Sequence, residues 1–186
     1  MQNANDTKYK NKIITLPNML SLLRICLIPL IIWLYCVKND YVMTCAILTF
    51  SGVTDIVDGI IARKCNMISD FGKVFDPVAD KLTQLTVLAC LVMRYKFMLV
   101  PIVMLTLKEI SDLLTGCLTF RRTGRVLGAE WHGKTTTVLL YLMMFIHIVW
   151  IDIPPIVSNV SILACISMII ASAVLYGIRN IKLLLR

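Results

Sequence analysis

Charge is scarce in this chain. Only 16% of its 186 residues are Asp, Glu, Lys or Arg, against about a quarter in an ordinary soluble domain. That excludes a conventional solvated surface over most of the molecule. The seven cysteines are scattered, mostly in apolar runs, without a C-x-x-C pair. Zinc sites and disulfide frameworks need regular spacing, so both are excluded and small buried thiols are expected. The net charge is +8, yet basic patches interleaved with aromatics are missing, which argues against a nucleic-acid partner. No small-residue cleavage site follows the first apolar run, which is also too long for a signal-peptide core. The first apolar segment is therefore expected to stay as a spanning helix. Internal repeats and low-complexity linkers are absent as well, which suits one domain.

What remains is apolar. Hydrophobic residues make up 58% of the chain and the mean hydropathy is +0.80, the composition of an integral membrane protein. A spanning helix needs about 20 residues. Six segments qualify: 15–37, 41–61, 74–93, 97–118, 135–151 and 156–178. The expectation is an all-α integral membrane domain of six transmembrane helices over 13–186, after a short polar segment, 1–12. Of the 19 Lys and Arg, Arg24, Lys81 and Lys108 lie within spans, Lys38, Arg94 and Lys96 fall on one face, and the other thirteen share the opposite face. By the positive-inside rule both termini are cytoplasmic.

The segment TDIVDGIIAR (54–63) puts Asp55, Asp58 and Arg63 at the cytoplasmic end of the second span. Intramembrane charge is kept only where it is paired, hydrated or functional. Asp55 and Asp58 are three apart; Gly72, Asp76 and Asp80, on the third span, are four apart, so each set shares a helical face. Four carboxylates converging on one cavity would repel and take up protons unless cations were bound there. Oxygen-only ligands select hard ions such as Mg²⁺ or Mn²⁺, and a pair of metals is a recurring device for displacement at phosphorus. Gly59, Ala62 and Gly72 leave a gap for a base or diphosphate, and Arg63 can pair with phosphate oxygens. Small-residue helix packing would also account for the glycines.

Together these positions read Asp55-x2-Asp58-Gly59-x2-Ala62-Arg63-x8-Gly72-x3-Asp76-x3-Asp80, which resembles the signature of the CDP-alcohol phosphatidyltransferase family at every specified position. Chance agreement at eight positions is on the order of 10⁻⁸ per chain of this length. LPNMLSLLRICLIPL looks like the family's first helix, and six membrane helices are its architecture. The resemblance implies transfer of a phosphatidyl group from CDP-diacylglycerol to an alcohol, with release of CMP. It implies that Asp55, Asp58 and Asp76 hold two divalent ions, Mg²⁺ or Mn²⁺. Asp80 would contribute to the second ion or act as the catalytic base. Gly59, Ala62, Arg63 and Gly72 would line the CMP portion.

Within the family, TGRVLGAEWHGKTTT (123–137) and DFGKVFDPVADKL are similar to segments of the bacterial phosphatidylglycerophosphate synthases. This implies sn-glycerol 3-phosphate as acceptor, a homodimer and a bacterial plasma membrane with the active site at its cytoplasmic face. The fourth helix departs from their pattern: LKEISDLLTG keeps Lys108 and Glu109 but lacks a later Arg. CMP-forming cardiolipin synthases, whose acceptor is phosphatidylglycerol, share the signature and form the alternative.

Arg121, Arg122, Arg125, His132 and Lys134 make a basic loop on the same face. They either hold a phosphate-bearing acceptor together with Lys108 or are simply positive-inside charge. Lys134, at an expected helix start, is the favoured anion contact, and mid-helix His147 is expected to pack. Pairing with the acidic cluster is one expectation for Arg24 and Lys81, whose facing the sequence leaves open. GAEWHGKT (128–135) matches the P-loop pattern, but no strand precedes it and the mechanism of that loop is lost. A divalent-cation transporter is the rival of another class. It would need carboxylates near mid-membrane on several helices, whereas these cluster at one end of two.

Overall fold

The computed structural model describes residues 16–64, 72–123 and 131–184. Among the described residues every regular element is helical. The α-helices are α1 (Leu16–Ile32), α2 (Tyr41–Lys64), α3 (Gly72–Val92), α4 (Leu99–Thr123), α5 (Trp131–Val149) and α6 (Pro155–Leu184). A π-helical segment, Trp33–Lys38, prolongs α1, and a 3₁₀ turn, Lys96–Met98, precedes α4. The chain divides into two compact units, Met1–Cys90 and Leu91–Arg186. The expected polar segment 1–12 lies outside the described residues.

In the first unit α1 packs against α2. Pro29 sits inside α1 without ending it, as apolar surroundings tolerate, and the wider π-helical turn follows. Asn39 then takes the left-handed conformation at φ 54°, where Asn costs less than other non-glycine residues. The Asp40 amide returns to the Leu34 carbonyl at 3.0 Å, and the Asp40 carboxylate accepts the Met43 amide at 3.0 Å. Asp40 is thus the N-cap of α2, and two residues suffice to reverse the chain.

In the second unit α6 packs against both α4 and α5. Its buried stripe runs Ile162, Cys165, Ile169, Ser172, Tyr176, Asn180, at the three- and four-residue spacing of one helical face. Pro101 falls in the first turn of α4 and Pro155 at the first position of α6, where a missing amide costs nothing.

The six helices coincide with the six expected segments, and most run past the expected ends. Among the described residues, two are long and apolar enough to cross a membrane, Asn18–Lys38 and Pro155–Lys182; Tyr41–Thr54 is a shorter apolar helix. The others are interrupted by polar positions: Asp55 in α2, Asp76, Asp80 and Lys81 in α3, Lys108, Glu109 and Asp112 in α4, and the His132–Thr137 stretch that opens α5. Burial is inverted relative to a soluble protein. Arg24, Gln84, Lys108, His132 and His147 are buried, whereas Val42, Leu113, Leu114 and Val160 are exposed, Val42 to 83%. Apolar exposure on that scale needs a partner other than water.

Candidate active site

The first unit carries the acidic signature. Helix α3 opens on Gly72, which is buried, and continues through Asp76 and Asp80, both half-buried on the same face. Each carboxylate is oriented by a neutral donor. Ser21 of α1 donates to Asp76 Oδ1 at 2.5 Å, and Gln84, one turn beyond Asp80, donates from Nε2 to Asp80 Oδ2 at 2.8 Å. Lys81 Nζ in turn donates to Gln84 Oε1 at 3.3 Å. Neutral donors fix a carboxylate's direction without cancelling its charge, as a metal ligand or general base requires.

Sequence reasoning passed over Ser21 and Gln84, though it had Lys81 near the acidic cluster. Asn18, Ser21 and Arg24 are all buried and recur every third residue on an otherwise apolar helix. That spacing was the available signal, with Gln84 four residues after Asp80 a second.

Helix α2 is continuous through positions 55, 58, 59, 62 and 63, but the side chains of Asp55, Asp58, Gly59, Ala62 and Arg63 lie outside the described residues. Among the described residues no three His, Cys, Asp or Glu gather at metal-holding distance. Asp76 and Asp80 nonetheless offer hard carboxylate oxygens of the kind that Mg²⁺ or Mn²⁺ prefers, and the donor set fits such an ion.

The second unit holds the expected acceptor residues. Lys108 is buried and paired within its own helix, to Asp112 at 2.8 Å and Glu109 at 3.2 Å. Its charge is thereby committed to two neighbouring carboxylates. His132 and Lys134 lie not in a loop but in the first turn of α5, which begins at Trp131. Lys134 is exposed, whereas His132 is 1% exposed with Nδ1 3.1 Å from Ser172 Oγ. The reason is the turn's amphipathic phase, which points position 132 at α6. Arg121 and Arg122 fall in the last turn of α4 with side chains outside the described residues, and Arg125 lies outside them altogether. Gly133 and Lys134 of the P-loop-like motif are helical; residues 128–130 lie outside the described residues.

His147 does pack in the interior, with polar partners on both nitrogens. Nδ1 is 2.7 Å from the Met143 carbonyl and Nε2 is 2.9 Å from Ser158 Oγ. A carbonyl only accepts, so Nδ1 carries the proton and Nε2 accepts from Ser158.

The pattern of the CDP-alcohol phosphatidyltransferase family matches residues 14–176. The chain belongs to this family. A CDP-diacylglycerol–glycerol-3-phosphate 3-phosphatidyltransferase of Aquifex aeolicus is 27% identical over 176 residues, 91% of this chain and 98% of that protein. The enzyme of the same name from Rickettsia typhi is 48% identical over 69 residues, 36% of this chain. That match spans only 39% of the Rickettsia protein's length. A cardiolipin synthase (CMP-forming) / mitochondrial hydrolase fusion protein of Schizosaccharomyces pombe is 41% identical over 85 residues, 46% of this chain and 14% of that protein. CDP-alcohol phosphatidyltransferases generally use divalent metal ions.

Proposed function

We propose that this chain transfers the phosphatidyl group of CDP-diacylglycerol to sn-glycerol 3-phosphate, releasing CMP and forming phosphatidylglycerophosphate. The observation that carries this reading is the Aquifex relative, whose similarity runs through 91% of this chain and 98% of its own. The eight-position signature lies inside that span.

Asp55, Asp58 and Asp76 hold two divalent cations, Mg²⁺ or Mn²⁺, with Asp80 at the second. Cations bound there would supply the positive charge that offsets the diphosphate and the departing CMP. Asp80 takes the proton from the acceptor hydroxyl as its oxygen attacks the β-phosphorus, and Gln84 keeps that carboxylate aimed. Ser21 does the same for Asp76. Gly59, Ala62, Arg63 and Gly72 line the CMP portion. Lys134, Arg121, Arg122, Arg125 and Lys108 are the candidates to receive the acceptor's phosphate.

The chain is a six-helix membrane domain over 13–186 in a bacterial plasma membrane, with both termini and the active site cytoplasmic and two copies associating. Supporting this are the exposed apolar side chains, the buried polar ones and the thirteen-to-three distribution of Lys and Arg. A second reading, cardiolipin synthesis from phosphatidylglycerol, draws on the Schizosaccharomyces relative and on the missing Arg in α4.

The test is CMP release by purified protein with CDP-diacylglycerol and Mg²⁺, comparing glycerol 3-phosphate, phosphatidylglycerol and inositol phosphate. Release with glycerol 3-phosphate alone is expected. Release with phosphatidylglycerol alone would replace the first reading by the second, and silence from folded, metal-loaded protein with all three would remove both.

A further inference from the structure

A lysine next to a carboxylate that holds a divalent ion is a cost by charge alone, because like charges repel. Lys81 directly follows Asp80, and both are half-buried. Its ammonium, however, meets an amide: Nζ donates to Gln84 Oε1 at 3.3 Å, while Gln84 Nε2 donates to Asp80 Oδ2 at 2.8 Å. The three residues fall within one turn of α3, so the relay is built from local helical spacing. Asp80 and Lys81 keep other partners as well. Gln84, by contrast, is fully buried and gripped at both ends of its amide.

A primary amide has a donor end and an acceptor end, and half a turn about its last bond exchanges them. An ammonium only donates, and an ionised carboxylate only accepts. Between Lys81 and Asp80, therefore, one orientation of Gln84 satisfies both neighbours, and the other sets like against like at both. Burial sharpens the choice, since a mismatched end has no bulk water to turn to. With the ammonium removed, buried Oε1 loses that donor. Rotamers of Gln84 that satisfy it elsewhere then compete with the one that holds Asp80.

We propose that Lys81 is a positioning residue of the metal site, acting through Gln84 to fix which end of the amide faces Asp80 and so to hold that carboxylate in its ligating direction. This rests on the reading of Asp80 as a ligand of the second ion.

The sign of one effect separates this role from simple charge. Removing a cation from beside a metal site should tighten divalent-ion binding, whereas releasing a ligand from its orientation should weaken it. The experiment titrates the full chain in detergent, without substrates, with Mn²⁺, and reads free Mn²⁺ by its paramagnetic resonance signal. Wild type should bind saturably, and Asp80→Asn should weaken that binding. Lys81→Met should weaken it about three- to tenfold, below the 10–100-fold of a group that touches the ligand directly. Lys81→Arg, which still donates to Oε1, should restore affinity to within about twofold of wild type. In a Gln84→Met background, Lys81→Met should no longer weaken binding, because the amide through which it acts is gone.

Unchanged or tighter Mn²⁺ binding in Lys81→Met overturns the inference and leaves the metal site standing. So does an arginine variant as impaired as the methionine one, or a weakening that persists without Gln84. Should Gln84→Met fail to fold, the sign of the Lys81→Met shift and the arginine rescue still decide. A wild type without saturable binding, or an Asp80→Asn variant that binds as wild type does, overturns the metal reading and the inference with it. The expected Mn²⁺ pattern without CMP release from glycerol 3-phosphate upholds the positioning role and overturns the acceptor reading instead.

Discussion

Ser21 and Asp76, 55 positions apart, meet through a hydrogen bond of 2.5 Å from Oγ to Oδ1. Ser21 is fully buried and Asp76 half-buried, so α1 sets the direction of a carboxylate on α3 from inside the unit. Orientation by such a neutral partner commonly changes metal affinity or activity by about 10–100-fold.

Ser21→Ala should therefore raise the Mg²⁺ concentration for half-maximal CMP release about tenfold, with little change at saturating metal. A metal titration at fixed substrates decides it. An unchanged half-saturation would mean that the bond only packs α1 against α3.

Asp76→Asn and Asp80→Asn should each lower CMP release by about 100-fold or more, because each removes charge where the diphosphate must be neutralised. Both variants should elute from a sizing column as wild type does. Chelation of wild type by EDTA should give the same loss, reversed by added Mg²⁺. Normal turnover in either variant would sink the site assignment.

Lys134, exposed in the first turn of α5, is the surface cation of the acceptor assignment. Lys134→Ala should raise KM for glycerol 3-phosphate about fivefold, a single charge-assisted contact, and leave KM for CDP-diacylglycerol alone. If both values stay put, the residue serves topology only.

Ser158→Ala leaves His147 Nε2 buried without its donor. A lost partner of this kind costs about 1–3 kcal/mol, which for a chain of this size lowers the midpoint by about 2–4 °C per kcal/mol. A thermal scan in detergent measures it. Turnover at low temperature should stay near wild type, since His147 has no part in the proposed chemistry.

Much of this protein is legible along the chain. Apolar helices are local objects: hydropathy over about 20 residues marks them, and the six expected segments lie where α1 to α6 are found, two of which are long and apolar enough to cross a membrane. The aspartate signature is also local, because a three- or four-residue interval places side chains on one helical face whatever surrounds the helix. Asp76 and Asp80 accordingly share a face of α3 as expected.

The second turn of the acceptor argument was not legible. His132 sits among Arg121, Arg122, Arg125 and Lys134 in sequence and reads as one more basic residue. In the fold α5 begins at Trp131, so His132 turns inward to Ser172 while Lys134 stays exposed.

The sequence by itself determined where the described helices fall and the family signature, because each depends on residues a few turns apart. Tertiary structure alone decided that Ser21 aims Asp76 and that Tyr176 gathers Lys108, Arg179 and His132. Hydrogen bonds and cation–π contacts act over a few ångströms. Residues such as Ser21 and Asp76 reach that range only when packing brings distant helices together.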